Sequence, residues 1–223
     1  IDTAVERVLR MKKRGGVFED PYADGAEADA LTGNAEARAV ALEAAHKAAV
    51  LVKNEEGALP LDTSALTRVA IVGPNSDITV LGGYSDEPRQ TISILDGLKA
   101  EFGDAVDIVH AKGVTLTDNR SWWDDEVNLT DPAENMRMIE DAVAAVQGAD
   151  VIILAIGGDE STSREAWSET HLGDRDDITL IGQQKDLVDA LAATDIPMGG
   201  VIISGRPLAL TNVQDHFAAI LYG

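Results

Sequence analysis

Five short apolar runs alternate with helical segments between residues 68 and 223, and this alternation limits the possible folds more than any other feature. The runs are rich in β-branched residues and are continuous, which is typical of strands buried on both faces. They lie at residues 68–73, 106–111, 150–158, 198–205 and 217–223. Segments with helical spacing lie at residues 93–103, 133–149 and 183–194. The pattern predicts an α/β fold, a three-layer αβα sandwich with a mostly parallel sheet.

A helical arm precedes these runs. Apolar residues recur at near-helical spacing over residues 1–14, and a basic turn before Gly15 and Gly16 predicts that this helix ends there. An irregular segment follows. Residues 35–54 are alanine-rich with an apolar stripe, which predicts a long helix. We therefore expect a linker over residues 1–34 and a sandwich domain over residues 35–223.

Charge and composition exclude several classes of function. The formal net charge of −21 argues against nucleic-acid and anionic-membrane partners, because a polyanion would be repelled over most of the surface. The sequence contains no cysteine, which removes disulfides, thiolate catalysis and cysteine-ligated zinc. Its four histidines lack the spacing of a metal site. No stretch approaches the roughly 20 apolar residues of a membrane span.

The polar loop after the third apolar run is the strongest candidate for a functional site. In open parallel sheets, ligands bind beyond the carboxyl ends of the strands. A carboxylic acid held there near neutral pKa could donate a proton, although charged loops are often only solvated. The loop carries four carboxylates: Asp159, Glu160, Glu165 and Glu169. The segment "VGPNSD" at the end of the first run lacks the glycine spacing of a phosphate-binding loop, which favours a tight turn over a nucleotide site.

Six segments, taken together, resemble the second domain of glycoside hydrolase family 3 enzymes. The first, "AVERVLRMKKRGGVFEDPY", looks like the segment with which those enzymes leave their catalytic barrel. Then "AHKAAVLVKNEEGALPLD" resembles the family's helix and turn, with Ala48 where Ser is common. The remaining segments follow in the family's order: "RVAIVGPNSD" with "LGGYS", "GADVIILAIGG", "DITLIGQQKDLVDAL" and "VIISGRPLAL". The resemblance runs along essentially the whole chain.

This resemblance implies an active site shared by two domains. The family's Asp nucleophile lies on a (β/α)8-type barrel, which this chain lacks, and its acid/base Glu lies on a loop of the sandwich domain. The implied function is retaining, exo-acting hydrolysis of terminal β-linked glucosyl residues, as in β-glucosidases and exo-1,3/1,4-β-glucanases. It needs no metal and no organic cofactor. The alternative is a non-catalytic carbohydrate-binding or structural module.

The resemblance also implies roles for individual residues. Glu165 of "SREAWSE" is the first choice for the general acid/base. Glu169 of "SETHLGDRDDITL" is the alternative, because the family's loop varies in length. The remaining assignments are substrate contacts for Trp167 and Arg164 and support of the loop for Asp174 and Arg175.

The chain is expected to be part of a longer exported enzyme. It starts with Ile and stops in a strand pattern, so we expect the sandwich domain to continue beyond residue 223. The 223-residue fragment alone should be inactive, because half of the carboxylate pair lies elsewhere. The family resemblance implies a periplasmic or extracellular location.

Overall fold

Six strands form one sheet in the computed structural model, which describes residues 1–85, 88–118, 124–166 and 171–223. The strands are β1 (Val50–Asn54), β2 (Arg68–Val72), β3 (Asp107–Ala111), β4 (Val151–Gly157), β5 (Met198–Ile203) and β6 (Ala219–Tyr222). Their order across the sheet is β1-β6-β5-β4-β2-β3. Neighbouring strands are parallel except β1 and β6, which are antiparallel. The five predicted strands and the mostly parallel sheet are confirmed.

The helices of the described residues are α1 (Asp2–Arg14), α2 (Gly25–Leu31), α3 (Ala35–Ala48), α4 (Ile94–Phe102), α5 (Pro132–Ala145), α6 (Glu160–Ser163) and α7 (Gln184–Ala192). Of these, α4, α5 and α7 cover the two faces of the sheet. Short 3-10 turns lie at Glu55–Gly57, Thr63–Ala65, Gly103–Ala105 and Gln214–His216. Leu95 of α4 packs with Val69 and Ile71 of β2 on one face. Ile139 of α5 and Leu187 of α7 pack in the core on the other face, which gives the predicted three layers.

Local capping explains where two of these helices begin. Ser93 accepts a hydrogen bond from the backbone of Asp96, and the Asp96 carboxylate in turn accepts from Ser93, which forms a reciprocal capping box at the start of α4. The Asp131 side chain caps the start of α5. Pro132 occupies the first helical position, where its missing N–H costs nothing. These start signals lie in the sequence, which is why the predicted helices agree closely with the observed ones.

The helix predicted over residues 35–54 was too long. Helix α3 ends at Ala48, and Val50–Asn54 form strand β1. This strand pairs with β6 from Val50 opposite Tyr222 to Asn54 opposite Ala219, with an irregularity between Leu51 and Lys53. Helix propensity is a weak prior that tertiary context overrides. The apolar run of β1 gains a hydrogen-bonded partner strand that a helix would not have.

The chain divides into two compact units, Ile1–Lys47 and Ala48–Gly223. The first unit is helical and contains α1, which ends before Gly15 as predicted. The predicted linker boundary between residues 34 and 35 lies inside this unit, and the assignment of residues 1–34 as a linker stays a prediction. No helix among the described residues is both long and apolar enough for a transmembrane span.

Candidate active site

A cleft of about 690 Å³ opens at the carboxyl edge of the sheet. Three segments that follow strands β2, β4 and β5 contribute to its walls, and they fall within residues 80–84, 159–166 and 203–205. The carboxyl ends of parallel strands meet at one edge, so this is where the topology concentrates side chains from distant segments. The loop singled out from the sequence therefore does border a cleft, as its position after β4 predicted.

The first carboxylate of this loop has a structural role. Asp159 is buried, and its Oδ1 accepts hydrogen bonds from the Thr162 backbone N–H at 3.1 Å and from the Ser161 hydroxyl at 2.7 Å. The Thr162 hydroxyl in return accepts from the Asp159 backbone N–H at 3.0 Å. This reciprocal capping box starts α6 immediately after β4. Asp159 thus fixes the point at which the loop leaves the sheet.

The second carboxylate holds a buried arginine. Glu160 and Arg164 are four residues apart across α6, and Nη1 of Arg164 lies 3.2 Å from Oε2 of Glu160. The Arg164 side chain is only 6% exposed and that of Glu160 only 18%. Burial raises the pKa of Glu160, although the positive charge of Arg164 opposes the shift. A buried cation needs such a partner, because an unpaired charge in the interior is strongly unfavourable.

His171 and a backbone carbonyl bind the rest of this guanidinium. Nε of Arg164 donates to Nε2 of His171, and Nη2 donates to the Asp124 carbonyl oxygen at 3.4 Å. Burial lowers the pKa of His171, and the positive charge of Arg164 lowers it further. The Arg164 side chain therefore ties α6 to two other segments of the loop region. Its predicted role in substrate binding stays a prediction.

Glu165 follows this anchored arginine and lines the cleft with an exposed side chain. The next residue is held as well, because the Ala166 N–H donates to Oδ2 of Asp174 at 3.2 Å. Gly173 packs directly against the same backbone. A Cβ placed on Gly173 would lie 2.0 Å from the Arg164 carbonyl oxygen, far inside van der Waals contact. Glu165 is thus an exposed residue whose backbone neighbours are fixed on both sides.

The two residues predicted to support the loop bind different partners. Asp174 makes the contact to Ala166, which is the kind of contact that loop support requires, and its backbone lies in the left-handed region with φ of 49°. Arg175 donates through Nη2 to the Thr179 carbonyl oxygen at 3.2 Å rather than to Asp174. Burial lowers the pKa of Arg175. Trp167 and Glu169 lie outside the described residues.

A buried Ser–His pair at the same sheet edge does not form a nucleophile. The Ser76 hydroxyl donates to the Gly73 carbonyl oxygen at 2.6 Å, and its oxygen lies 2.9 Å from Nε2 of His110. The Ser76 side chain is completely buried, so it cannot reach a substrate in the cleft. A nucleophile must come within contact distance of the reacting atom, which this burial prevents. The pair packs the end of β2 against β3.

Sequence reasoning missed several contacts that shape this site. The spacing of Glu160 and Arg164 is that of a helical ion pair, so a helix placed at the start of the loop would have predicted their contact. His171 and Gly173 gave no comparable signal. Their roles depend on the loop folding back on itself, which brings residues 171–174 against residues 164–166.

Comparison with known proteins shows consistent similarity to one family. The model of the glycosyl hydrolase family 3 C-terminal domain matches residues 49–223. A β-xylosidase from Formosa agariphila is 32% identical over 99% of this chain and 29% of its own length. A periplasmic β-glucosidase from Salmonella typhimurium is 35% identical over 99% of this chain and 30% of its own length. The chain therefore spans about three tenths of these relatives.

Solved structures show the same similarity. A β-glucosidase from Erythrobacter marinus superposes with a TM-score of 0.89 and 38% identity, covering 98% of this chain and 30% of that protein. A β-glucosidase from Listeria innocua, solved in complex with glucose, superposes with a TM-score of 0.72 and 28% identity. That match covers 99% of this chain and 27% of the Listeria protein.

Proposed function

Because the chain belongs to glycoside hydrolase family 3, we propose that it supplies the acid/base residue of a retaining, exo-acting β-glycosidase. The observation that carries this proposal is the placement of Glu165. Glu165 lines the cleft at the carboxyl edge of the sheet, and its backbone neighbours are anchored by a buried arginine and by Asp174. An acid/base group needs both properties, because it must reach the glycosidic oxygen and keep a defined position.

The second carboxylate of the mechanism lies outside this chain in our proposal. A barrel domain of the longer enzyme carries the Asp nucleophile, which attacks the anomeric carbon. Glu165 protonates the departing glycosidic oxygen in the first step and deprotonates the attacking water in the second. Retaining glycosidases hold such a pair about 5–5.5 Å apart. The 223-residue chain alone is accordingly expected to have no hydrolase activity.

The experiment compares Glu165→Ala and Glu169→Ala in the full-length protein. The substrates are two aryl β-glucosides, one with a good leaving group and one with a poor one, assayed with and without azide. Loss of the acid/base lowers kcat/KM for the poor leaving group by about 10²–10⁴-fold. Azide, which needs no general base, restores turnover of the good leaving group and yields a β-glycosyl azide. We expect this result for Glu165→Ala; the same result for Glu169→Ala alone would move the role to that residue.

If neither variant changes the rate, the acid/base assignment to this loop is wrong. The non-catalytic carbohydrate-binding module then becomes the better description of the chain. Binding of cellobiose or laminaribiose to the isolated chain, measured by calorimetry, tests that description directly. A catalytic domain that needs its barrel partner should bind such disaccharides weakly by itself.

The substrate is proposed to be a terminal β-linked glucosyl residue of an oligosaccharide or β-glucoside. The similar structures from Erythrobacter marinus and Listeria innocua are β-glucosidases, which supports this choice. A β-xylosyl residue is the second candidate, because a relative at 32% identity is a β-xylosidase. Matched p-nitrophenyl β-glucoside and β-xyloside assays of the full-length protein decide between them through the ratio of their kcat/KM values.

A periplasmic or extracellular location is also proposed. The relative from Salmonella typhimurium is a periplasmic β-glucosidase. Export of the full-length protein is tested by assaying periplasmic, secreted and cytosolic fractions for the protein with an antibody. Recovery only in the cytosolic fraction would contradict the proposal.

A further inference from the structure

Arg206 joins the loop after β5 to the segment that carries Glu165. Its Nη2 donates a hydrogen bond of 2.7 Å to the carbonyl oxygen of Ser163. Ser163 is the last residue of α6 and lies two positions before Glu165. The contact therefore connects two strand-end segments that both contribute to the cleft.

The starting point of the Arg206 side chain is itself fixed. The Tyr222 hydroxyl on β6 donates to the Arg206 carbonyl oxygen at 2.8 Å and accepts from the Leu208 N–H at 3.0 Å. The Arg206 N–H donates to Oγ of Ser204 at 3.3 Å. These bonds bracket Arg206 on both sides, so its guanidinium projects from a defined backbone. A continuous series of contacts runs from β6 through Arg206 to the end of α6.

The chemistry of this contact suits a positioning role. The last carbonyls of a helix lack intrahelical partners, and a cation is favoured beside them. A hydrogen bond from a guanidinium is also stronger than one between neutral groups. On the other side of Ser163, the side chain of Arg164 is anchored by Glu160. Arg206 thus holds the backbone of this segment at Ser163, while Arg164 holds the segment through its side-chain contact with Glu160.

We propose that Arg206 is a positioning residue for the acid/base Glu165, and that Tyr222 keeps Arg206 in place. The inference rests on the proposed function, since it assigns the geometry of the same carboxylate. Arg206 need not touch the substrate. Its effect comes through the position of Ser163, and a displacement of about 1 Å at a catalytic group can lower the rate by about 10²-fold.

The test measures kcat/KM of the full-length protein on two aryl β-glycosides, one with a good leaving group and one with a poor one. Acid catalysis matters chiefly for the poor leaving group, because a good leaving group departs without a proton. We expect Arg206→Met to lower kcat/KM for the poor leaving group by about 10–100-fold, with a change of less than about 3-fold for the good one. Arg206→Lys, which can still donate, should restore part of the loss.

Two further variants keep the test decisive. Tyr222→Phe removes only the hydroxyl and should produce the same selective loss at a smaller size, of about 3–10-fold. Arg68→Met is the matched control, because Arg68 pairs with Asp107 at 3.0 Å at the opposite edge of the sheet. This variant should leave kcat/KM unchanged for both substrates. If Arg206→Met fails to fold, the outcome for Tyr222→Phe decides.

The failure of this inference can be distinguished from failure of the proposed function. Suppose that Glu165→Ala shows the selective loss, but that Arg206→Met and Tyr222→Phe either lower kcat/KM equally for both substrates or leave it unchanged for both. The positioning role is then wrong, and the acid/base assignment stands. If Glu165→Ala shows no selective loss, the assignment fails and the positioning role fails with it.

Discussion

Replacing Gln184 by alanine should destabilise the domain more than any surface change of the same kind. Gln184 is completely buried at the start of α7. Its Oε1 accepts from the Gly157 N–H at 2.8 Å, while Nε2 donates to the carbonyl oxygens of Gly157 at 2.8 Å and of Ile181 at 3.0 Å. One amide thus satisfies both backbone groups of the residue that ends β4.

The magnitude follows from the groups left without a partner. Truncation to alanine removes all three hydrogen bonds and leaves the N–H and C=O of Gly157 buried. Each unsatisfied buried group costs about 1–3 kcal/mol, so the loss of both partners should lower the free energy of unfolding by about 2–6 kcal/mol. For a domain of this size, about 2–4 °C is lost per kcal/mol, which predicts a decrease in Tm of about 4–24 °C.

The assay is urea unfolding followed by circular dichroism, with two comparison variants. Gln147→Ala is the matched control: its Nε2 also donates to a backbone carbonyl, that of Val143 at 2.9 Å, but at an exposed position. It should change the free energy of unfolding by less than about 0.5 kcal/mol. Gln184→Met keeps most of the side-chain volume and removes the hydrogen bonds. If Gln184→Met were as stable as wild type, hydrogen bonding would not explain the effect, and the reasoning would be refuted.

Two other predictions concern the loop. Gly173→Ala should lower kcat/KM of the full-length protein for poor leaving groups by about 10–100-fold, because the new Cβ displaces the Arg164 carbonyl oxygen. Gly25→Ala, whose Cβ meets nothing within 4 Å, should have no effect, and equal activity of both variants would contradict the prediction. Between about pH 7.5 and pH 5.5, the stability of the His171→Gln variant should fall less than that of the wild type, as measured by urea midpoints. An unchanged pH dependence would count against this prediction.

The direction of the pH effect follows from the lowered pKa of His171. In the unfolded chain the ring takes up a proton as the pH falls through its ordinary value of 6.5. The folded ring resists protonation to a lower pH because it is buried beside Arg164. The contribution of His171 to stability is therefore fully present above about pH 6.5, and it is lost as the pH falls towards the pKa of the folded state. His110 also has a lowered pKa, so part of the decrease should persist in the His171 variant.

Most of the fold could be predicted because its signals are local. Strands buried on both faces are continuous apolar runs, as in β4, where all seven residues are buried. Capping residues such as Ser93 and Asp131 mark helix starts. Strand β1 was missed because its conformation is decided by β6, at the far end of the chain. No window of sequence around residue 50 contains that information.

The site could be predicted only in part for the same reason. The family resemblance led to Glu165, and the position after β4 led to the cleft. Some of the contacts that hold the loop join segments far apart in sequence, and these were not visible. Arg206 and Ser163 are separated by 43 positions, and the short distance between them exists only after β4 and β5 have paired.

The pairing of β1 with β6 bears on how this domain forms during synthesis. Strand β1 is synthesised before β2, β3, β4 and β5, whereas its partner β6 is synthesised after them. Until then the nascent chain carries a β-prone segment with unpaired N–H and C=O groups, a form that readily joins other exposed strand edges. Chaperone dependence and slow maturation should therefore centre on residues 50–54, rather than on the central strands, which find their neighbours sooner.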